Sequence, residues 1–106
     1  MRNFLGMDNF LCFVADDGGV VGAAAGFIAP LYFSPQHLAG EEMFWWSEPG
    51  HRCGLALLKA LENEAKARGC VFFLMKSLSV LNGERMARVY RRCGYRLSED
   101  IWMKVF

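Results

Sequence analysis

One segment constrains this chain more than any other: Glu42-Met43-Phe44-Trp45-Trp46-Ser47-Glu48-Pro49-Gly50-His51-Arg52-Cys53-Gly54-Leu55-Ala56-Leu57-Leu58. It reads as an apolar strand, a short loop with glycine and arginine, and an amphipathic helix that follows at once. That arrangement builds an anion site. The first N–H groups of a helix have no intrahelical partner, and the helix dipole favours negative charge at that end. Glycine lets a phosphate approach the backbone, and a guanidinium such as Arg52 binds phosphate in two-pronged fashion. The ligand implied is a nucleotide-like pyrophosphate.

The helix after the loop is the surest element. Leu57, Leu58, Leu61 and Ala65 recur on one face at helical spacing, and Lys59, Glu62, Asn63 and Lys66 fall on the other. Glu62 and Lys66 stand in the favourable i,i+4 order. Gly69 sits where a C-terminal cap belongs, so the helix is expected over Gly54 to Arg68. Upstream, Phe10 to Ala15 and Val20 to Ile28 are apolar runs separated by Asp16-Asp17-Gly18-Gly19, a hairpin signal because such turns need positive φ. Gly22 and Gly26 inside the second run point to a bulge or a close backbone approach, or are packing glycines. Pro30, Ser34 and Pro35 mark Ala29 to Gly40 as a loop, with a strand over Glu41 to Ser47. Downstream, Cys70 to Met75 reads as a buried strand. A second helix opens at Asn82 or Asn82-Gly83 and ends near Cys93-Gly94. Tyr95 to Ser98 and Ile101 to Phe106 add one or two strands.

The expected fold class is therefore α+β, with a mixed, mostly antiparallel central sheet and helices packed on it. Length and composition agree with one domain over residues 1–106. A 54% hydrophobic and 22% charged chain is globular rather than disordered. A net charge of +1 gives no reason to expect a nucleic-acid partner. No apolar run approaches the roughly 18 residues of a membrane span. Cys12, Cys53, Cys70 and Cys93 are widely spaced without a CxxC pair, and His37 and His51 lie far apart. No metal site is expected, and reduced thiols in a cytoplasmic protein are. The start, Met1-Arg2-Asn3-Phe4, lacks a signal-peptide pattern.

The order of elements and their punctuation resemble the GNAT superfamily of N-acetyltransferases, from about residue 10 to the end. Four places carry the resemblance: Val20-Val21-Gly22 after the acidic-glycine turn; the strand ending Trp46-Ser47-Glu48-Pro49 with its Arg/Gly loop and Leu-rich helix to Gly69; Asn82 to Ala87 leading into Val89-Tyr90-Arg91-Arg92-Cys93-Gly94-Tyr95, like the family's Tyr-x-x-x-Gly-aromatic ending; and Trp102-Met103-Lys104. There are two departures. The family's phosphate loop, Arg/Gln-x-x-Gly-x-Gly/Ala, matches His51-Arg52-Cys53-Gly54-Leu55-Ala56 with His in first place. Aligned on Gly69 instead, Gly54 takes the last glycine position and the loop runs short. The usual N-terminal strand and helices, which help form the acceptor pocket, are also lacking, so the acceptor wall is missing, abbreviated or supplied by another subunit.

The resemblance implies acetyl-coenzyme A as donor and a small-molecule or peptide amine as acceptor, joined by direct attack. The coenzyme's contacts would be Trp45, Trp46, Ser47, Gly50, His51, Arg52, Cys53, Gly54, Leu55, Asn82 and Tyr90. A backbone N–H of the strand Met43–Ser47 would stabilise the oxyanion. Tyr90 takes the role of general acid, or anchors its helix as an aromatic. Glu42 takes that of general base, or is a solvated charge; Glu41 faces the other way by strand alternation. Asn82 bonds the pantetheine amide or caps its helix. Arg85, Arg88, Arg91 and Arg92 form a basic stripe, either toward the phosphates or in water. Trp45 and Trp46 also suit a core or an interface, and Cys53 is read as a passive thiol. An incomplete domain leaves apolar surface, and Phe4, Leu5, Phe27, Leu31, Tyr32 and Phe33 are candidates to bury it in a homodimer. The rival reading is a degenerate coenzyme-A-binding or subunit-interaction module without turnover.

Overall fold

The computed structural model describes residues 2–3, 9–77 and 79–106, and the side chains of residues 9–77 and 83–106. The chain forms two compact units, Met1–Met75 and Lys76–Phe106.

The first unit is a five-stranded sheet in simple sequence order with one helix on it. Its elements are β1 (Arg2–Asn3), β2 (Phe10–Asp16), β3 (Val20–Leu31), β4 (Ser34–Ser47), α1 (Gly54–Ala67) and β5 (Cys70–Leu74). Neighbours pair antiparallel up to β3–β4, and β4–β5 is parallel. A parallel neighbour needs a crossover, and α1 is that crossover. The mixed, mostly antiparallel sheet read from the sequence is thus present.

The Asp17–Gly19 turn forms as expected, with Gly18 at φ 73° and the Asp17 N–H donating to the Gly19 carbonyl at 2.9 Å. Ala29 to Gly40 is not a loop, however. β3 runs on to Leu31 and β4 begins at Ser34, leaving Tyr32-Phe33 as the turn of a long hairpin. The prolines misled because a proline excludes only its own ladder bond. Pro30 lies beside a register shift at Leu31, and Pro35 is at the second position of its strand. Ahead of Phe10, Arg2–Asn3 forms a two-residue strand paired to Phe13 and Val14.

α1 buries Leu57, Leu58, Leu61 and Ala65, the four positions its spacing assigned to the core. Leu57, Leu61 and Ala65 join Leu11, Ala24 and Ile28 in one cluster, with Phe13, Trp45, Cys53 and Phe73 packed around it. Each fully buried leucine contributes about 1.5–3 kcal/mol. Gly22 and Gly26 mark close approaches. A Cβ on Gly22 would lie 2.5 Å from the Cys53 sulfur, and one on Gly26 would lie 2.8 Å from the Glu41 carbonyl oxygen. The helix ends on Gly69 at φ 93°, whose N–H bonds the Lys66 carbonyl at 3.0 Å. Glu64 and Arg68 close an i,i+4 ion pair at 2.9 Å, two residues along from Glu62 and Lys66. β5 is less buried than expected, with Val71 and Phe72 exposed.

The second unit holds α2 (Ser79–Arg92). The helix starts a turn earlier than its Asn-Gly signal indicated, so Asn82 lies inside it rather than at its cap; the Asn82 side chain falls outside the described residues. Asparagine and glycine lower helix propensity by less than about 1 kcal/mol each, which strong formers such as Glu84, Arg85, Met86 and Ala87 offset. The helix closes in a Schellman motif: Gly94 at φ 91° donates to the Arg91 carbonyl at 3.1 Å, and Tyr95 to the Tyr90 carbonyl at 2.9 Å. Residues 95–106 form no strand. A strand exists through its ladder; these residues have none, and Leu97, Ile101, Trp102, Met103, Val105 and Phe106 stay exposed. Phe4 and Leu5 lie outside the described residues; Phe27, Tyr32 and Phe33 are exposed and Leu31 is half-buried.

Candidate functional site

The site of interest begins where β4 and β5 part. They pair at Leu38–Cys70, Ala39–Phe72, Gly40–Phe73 and Glu41–Leu74, and there the ladder stops. β4 continues to Ser47, held by β3 alone among the described residues. From Glu42 to Ser47 this edge of β4 therefore lies beyond the β5 ladder. In the same stretch β4 bulges. Ala25 pairs with Phe44 and Gly26 with Glu42, so Met43 is an extra residue opposite β3. A bulge re-aims local N–H groups, and the glycine the sequence flagged, Gly26, stands beside it.

Glu42 sits at this bulge, in mid-strand rather than at a strand start, because β4 begins earlier than expected. It is 8% exposed, which rules out the solvated-charge reading. Glu41, its neighbour, is half-buried.

β4 then leads through Glu48–Cys53 into α1. Gly50 takes the left-handed conformation at φ 87°, and the His51 N–H closes the turn on the Glu48 carbonyl at 3.1 Å. At the helix start, Cys53 is the N-cap, yet its side chain makes no capping bond. Its sulfur instead lies 3.2 Å from Ser47 Oγ and 3.7 Å from the Val21 carbonyl oxygen. The first turn carries no acidic residue. So the N–H groups of Gly54, Leu55 and Ala56 keep their dipole-favoured affinity for an anion, with no side chain of the cap competing. Arg52 and Leu55 are exposed, and His51 is half-buried.

Two side chains of β4 assigned to the coenzyme make hydrogen bonds within the protein. The Trp45 indole packs on the core and donates its Nε1–H to the Gly54 carbonyl at 2.8 Å. Ser47 Oγ donates to the His51 carbonyl at 2.6 Å. Trp46 is 44% exposed and pairs with Ala23 on the opposite pleat from Trp45. Hydrogen bonds from Trp45 and Ser47 thus tie the end of β4 to the following turn at His51 and Gly54.

In the second unit, Tyr90 Oη donates to the Lys76 carbonyl at 2.6 Å, and its ring lies 5.7 Å from that of Tyr95, tilted by 53°. The Tyr-x-x-x-Gly-aromatic spacing has a local cause: Tyr90, Gly94 and Tyr95 are the three sequence-specific positions of a Schellman cap, whose flanking apolar contact is this ring pair. Arg85, Arg88, Arg91 and Arg92 are all exposed.

Sequence reading missed the end of the β4–β5 ladder and the Met43 bulge. Gly26 was the one signal for the bulge; the end of the β4–β5 ladder leaves none, since it is a relation between two strands far apart in sequence. All four cysteines are free thiols. Burial raises the Cys12 thiol pKa; it also raises that of Cys70, with the Arg68 charge partly opposing it. Among the described residues no group of three His, Cys, Asp or Glu side chains could hold a metal ion, and no helix is long and apolar enough to cross a membrane.

Comparison with known proteins gives this geometry its family. No curated protein matches the chain. Solved structures do. An acetyltransferase of Trypanosoma brucei superposes with a TM-score of 0.76 at 21% identity, over 93% of this chain and 70% of that one. A glucosamine-6-phosphate N-acetyltransferase of Arabidopsis thaliana gives 0.77 at 17%, over 93% and 68%. A ribosomal-protein-alanine N-acetyltransferase of Brucella melitensis biovar Abortus gives 0.74 at 19%, over 96% and 75%. These likenesses fix the fold. The acetyltransferase (GNAT) family matches residues 2–95, which takes in the parted strands, the uncapped helix start and the Tyr90–Tyr95 cap, and the chain belongs to that family.

Proposed function

We propose that the protein transfers the acetyl group of acetyl-coenzyme A to a primary amine by direct attack within a ternary complex. The observation that carries this is the continuous run from the β4 edge beyond the β5 ladder, through the Met43 bulge, to a helix start that no side chain caps. That run suits a long ligand with an amide-bearing arm and a diphosphate. The coenzyme supplies an acyl thioester, whose carbonyl is electrophilic and whose sulfur departs as a thiolate.

The chain's own groups have distinct tasks. N–H groups of Gly54, Leu55 and Ala56 hold the diphosphate, with Arg52 adding charge at the rim. The β4 edge beyond the β5 ladder bonds the amide arm in the manner of an added strand. A bulge N–H at Met43 or Phe44 meets negative charge as it develops on the carbonyl oxygen. Glu42 accepts the amine's proton on its carboxylate, directly or through a water. Tyr90 gives the proton of Oη to the departing sulfur, exchanging its bond to the Lys76 carbonyl for that role. The amine class of the acceptor is supported by relatives that act on glucosamine-6-phosphate or on a ribosomal protein's alanine. Exposed Phe27, Tyr32 and Phe33 support a homodimer, and free thiols support the cytoplasm.

Calorimetric titration with acetyl-coenzyme A, with light scattering on the same sample, tests the reading. Micromolar binding followed by turnover with a panel of amines supports it. Binding without turnover leaves only the coenzyme-binding module. A folded protein with no affinity refutes both.

A further inference from the structure

A helix start is useful to an anion only if its N–H groups are aimed, and here the aim is set from β4. Two β4 side chains reach across the Glu48–Cys53 loop, and both take carbonyls. Trp45 Nε1–H binds the Gly54 oxygen at 2.8 Å, and Ser47 Oγ–H binds the His51 oxygen at 2.6 Å. In a planar trans peptide the C=O and the following N–H point in opposite directions. Drawing the His51 carbonyl toward Ser47 therefore turns the Arg52 N–H away from it. Drawing the Gly54 carbonyl toward Trp45 does the same to the Leu55 N–H. The carbonyls, which would repel a phosphate, are turned inward and neutralised. The N–H groups, which attract one, face the other way.

The rest of the interlock makes this rigid. Trp45 is partly buried and packs against the core cluster, which restrains its donor. Gly54 lies against it: a Cβ there would sit 3.6 Å from the Trp45 ring. Cys53 is drawn toward Ser47 and Val21 and away from the helix N–H groups it would otherwise cap.

We propose that Trp45 and Ser47 are positioning residues for the coenzyme's diphosphate: by holding the Gly54 and His51 carbonyls they keep the Leu55 and Arg52 N–H groups outward, and they do not themselves touch the ligand. This rests on the coenzyme reading above and gives these two side chains a role distinct from ligand contact.

The test compares two probes, coenzyme A and pantetheine, the latter carrying the amide arm without phosphates. Each is titrated calorimetrically into the wild type, Trp45→Phe and Ser47→Ala. Trp45→Phe removes the donor and keeps an aromatic ring in the core; Ser47→Ala removes one hydroxyl. Misaimed groups in a binding shell cost about tenfold in affinity. Each variant is expected to lose about that much for coenzyme A, with pantetheine binding unchanged. Equal losses for both probes would make the residues merely structural and overturn the proposal, as would no loss for either. A wild type that binds neither probe refutes the coenzyme reading itself, whereas a wild type that binds coenzyme A beside unaffected variants refutes only the positioning role. If Trp45→Phe does not fold, Ser47→Ala carries the same comparison alone.

Discussion

The Cys53 sulfur occupies the space that a side chain on Gly22 would need: a Cβ there would lie 2.5 Å from Sγ, with Leu57 Cδ1 at 3.0 Å and the Trp46 carbonyl oxygen at 3.1 Å. The β3 backbone is thus the floor on which the loop before α1 rests. Gly22→Ala should destabilise the protein by about 1–3 kcal/mol, the usual cost of overpacking. Cys53→Ala removes the nearest atom and should recover part of that loss in the double variant. Denaturant unfolding of the four members of the cycle measures the coupling. Additive effects would mean that Leu57 and the Trp46 carbonyl, not the thiol, set the constraint.

The start of α1 has no side-chain cap, and under the proposed function that leaves its N–H groups to the diphosphate. Cys53→Asp places a carboxylate where it can accept the first-turn N–H groups, which should stabilise the unliganded protein by about 1 kcal/mol. The same carboxylate competes with the diphosphate and repels it. Coenzyme A affinity should fall by more than about tenfold. Thermal melts with and without coenzyme A read both effects: a higher midpoint without ligand and a smaller ligand-induced rise. A variant that binds as tightly as the wild type would place the diphosphate elsewhere.

What the sequence made legible follows from how local each signal is. The buried face of α1 is a periodic pattern within one helix, so Leu57, Leu58, Leu61 and Ala65 could be read directly. Gly18, Gly69 and Gly94 announced turns and caps because their φ angles, 73°, 93° and 91°, suit glycine. The long β3–β4 hairpin was hidden because Pro30 and Pro35 look like breakers until the register around them is known. The expected strands after Tyr95 have the right composition but no partner strand, and composition cannot supply one. The site divides in the same way. Its order along the chain was readable, but the roles of Trp45 and Ser47 depend on how β4 leans over α1, which no spacing encodes.

Tyr90 has one bond that tests its two roles separately. Its hydroxyl donates to the Lys76 carbonyl at 2.6 Å, so Tyr90→Phe should cost about 1 kcal/mol of stability. Under the proposed mechanism the same change lowers kcat by about 100-fold or more while the coenzyme A Kd stays close to wild type. An unfolding curve, a titration and a turnover assay on one preparation settle it. Unchanged kcat beside the expected loss of stability would leave Tyr90 as the aromatic member of its helix cap and nothing more.

Glu42 lies at the bulge and is almost wholly buried, so Glu42→Gln keeps its shape and removes its basicity. If its carboxylate takes the amine's proton, kcat/KM should fall by about 10²–10⁴-fold. The acidic limb of the pH profile should vanish with it, while coenzyme A binding persists. A profile that keeps its acidic limb in the variant would assign that limb to another group, the free amine included, and remove Glu42 from the chemistry.

The thiols make a prediction about alkaline stability. Burial raises Cys12 and Cys70 above the ordinary thiol value of 9.0 in the folded state. Below that value both thiols are neutral whether the chain is folded or not, and they leave stability independent of pH. As pH rises past it, the unfolded chain loses these protons first. Stability must then fall, because the folded state binds more protons than the unfolded one. Urea midpoints should therefore decline as pH is taken above about 9, and the decline should be shallower in Cys12→Ala/Cys70→Ala than in the wild type. Each substitution also removes some packing, so the comparison is of slopes against pH rather than of absolute midpoints. Identical slopes would mean that these two thiols ionise alike in the folded and unfolded chains, and that their burial is too shallow to matter.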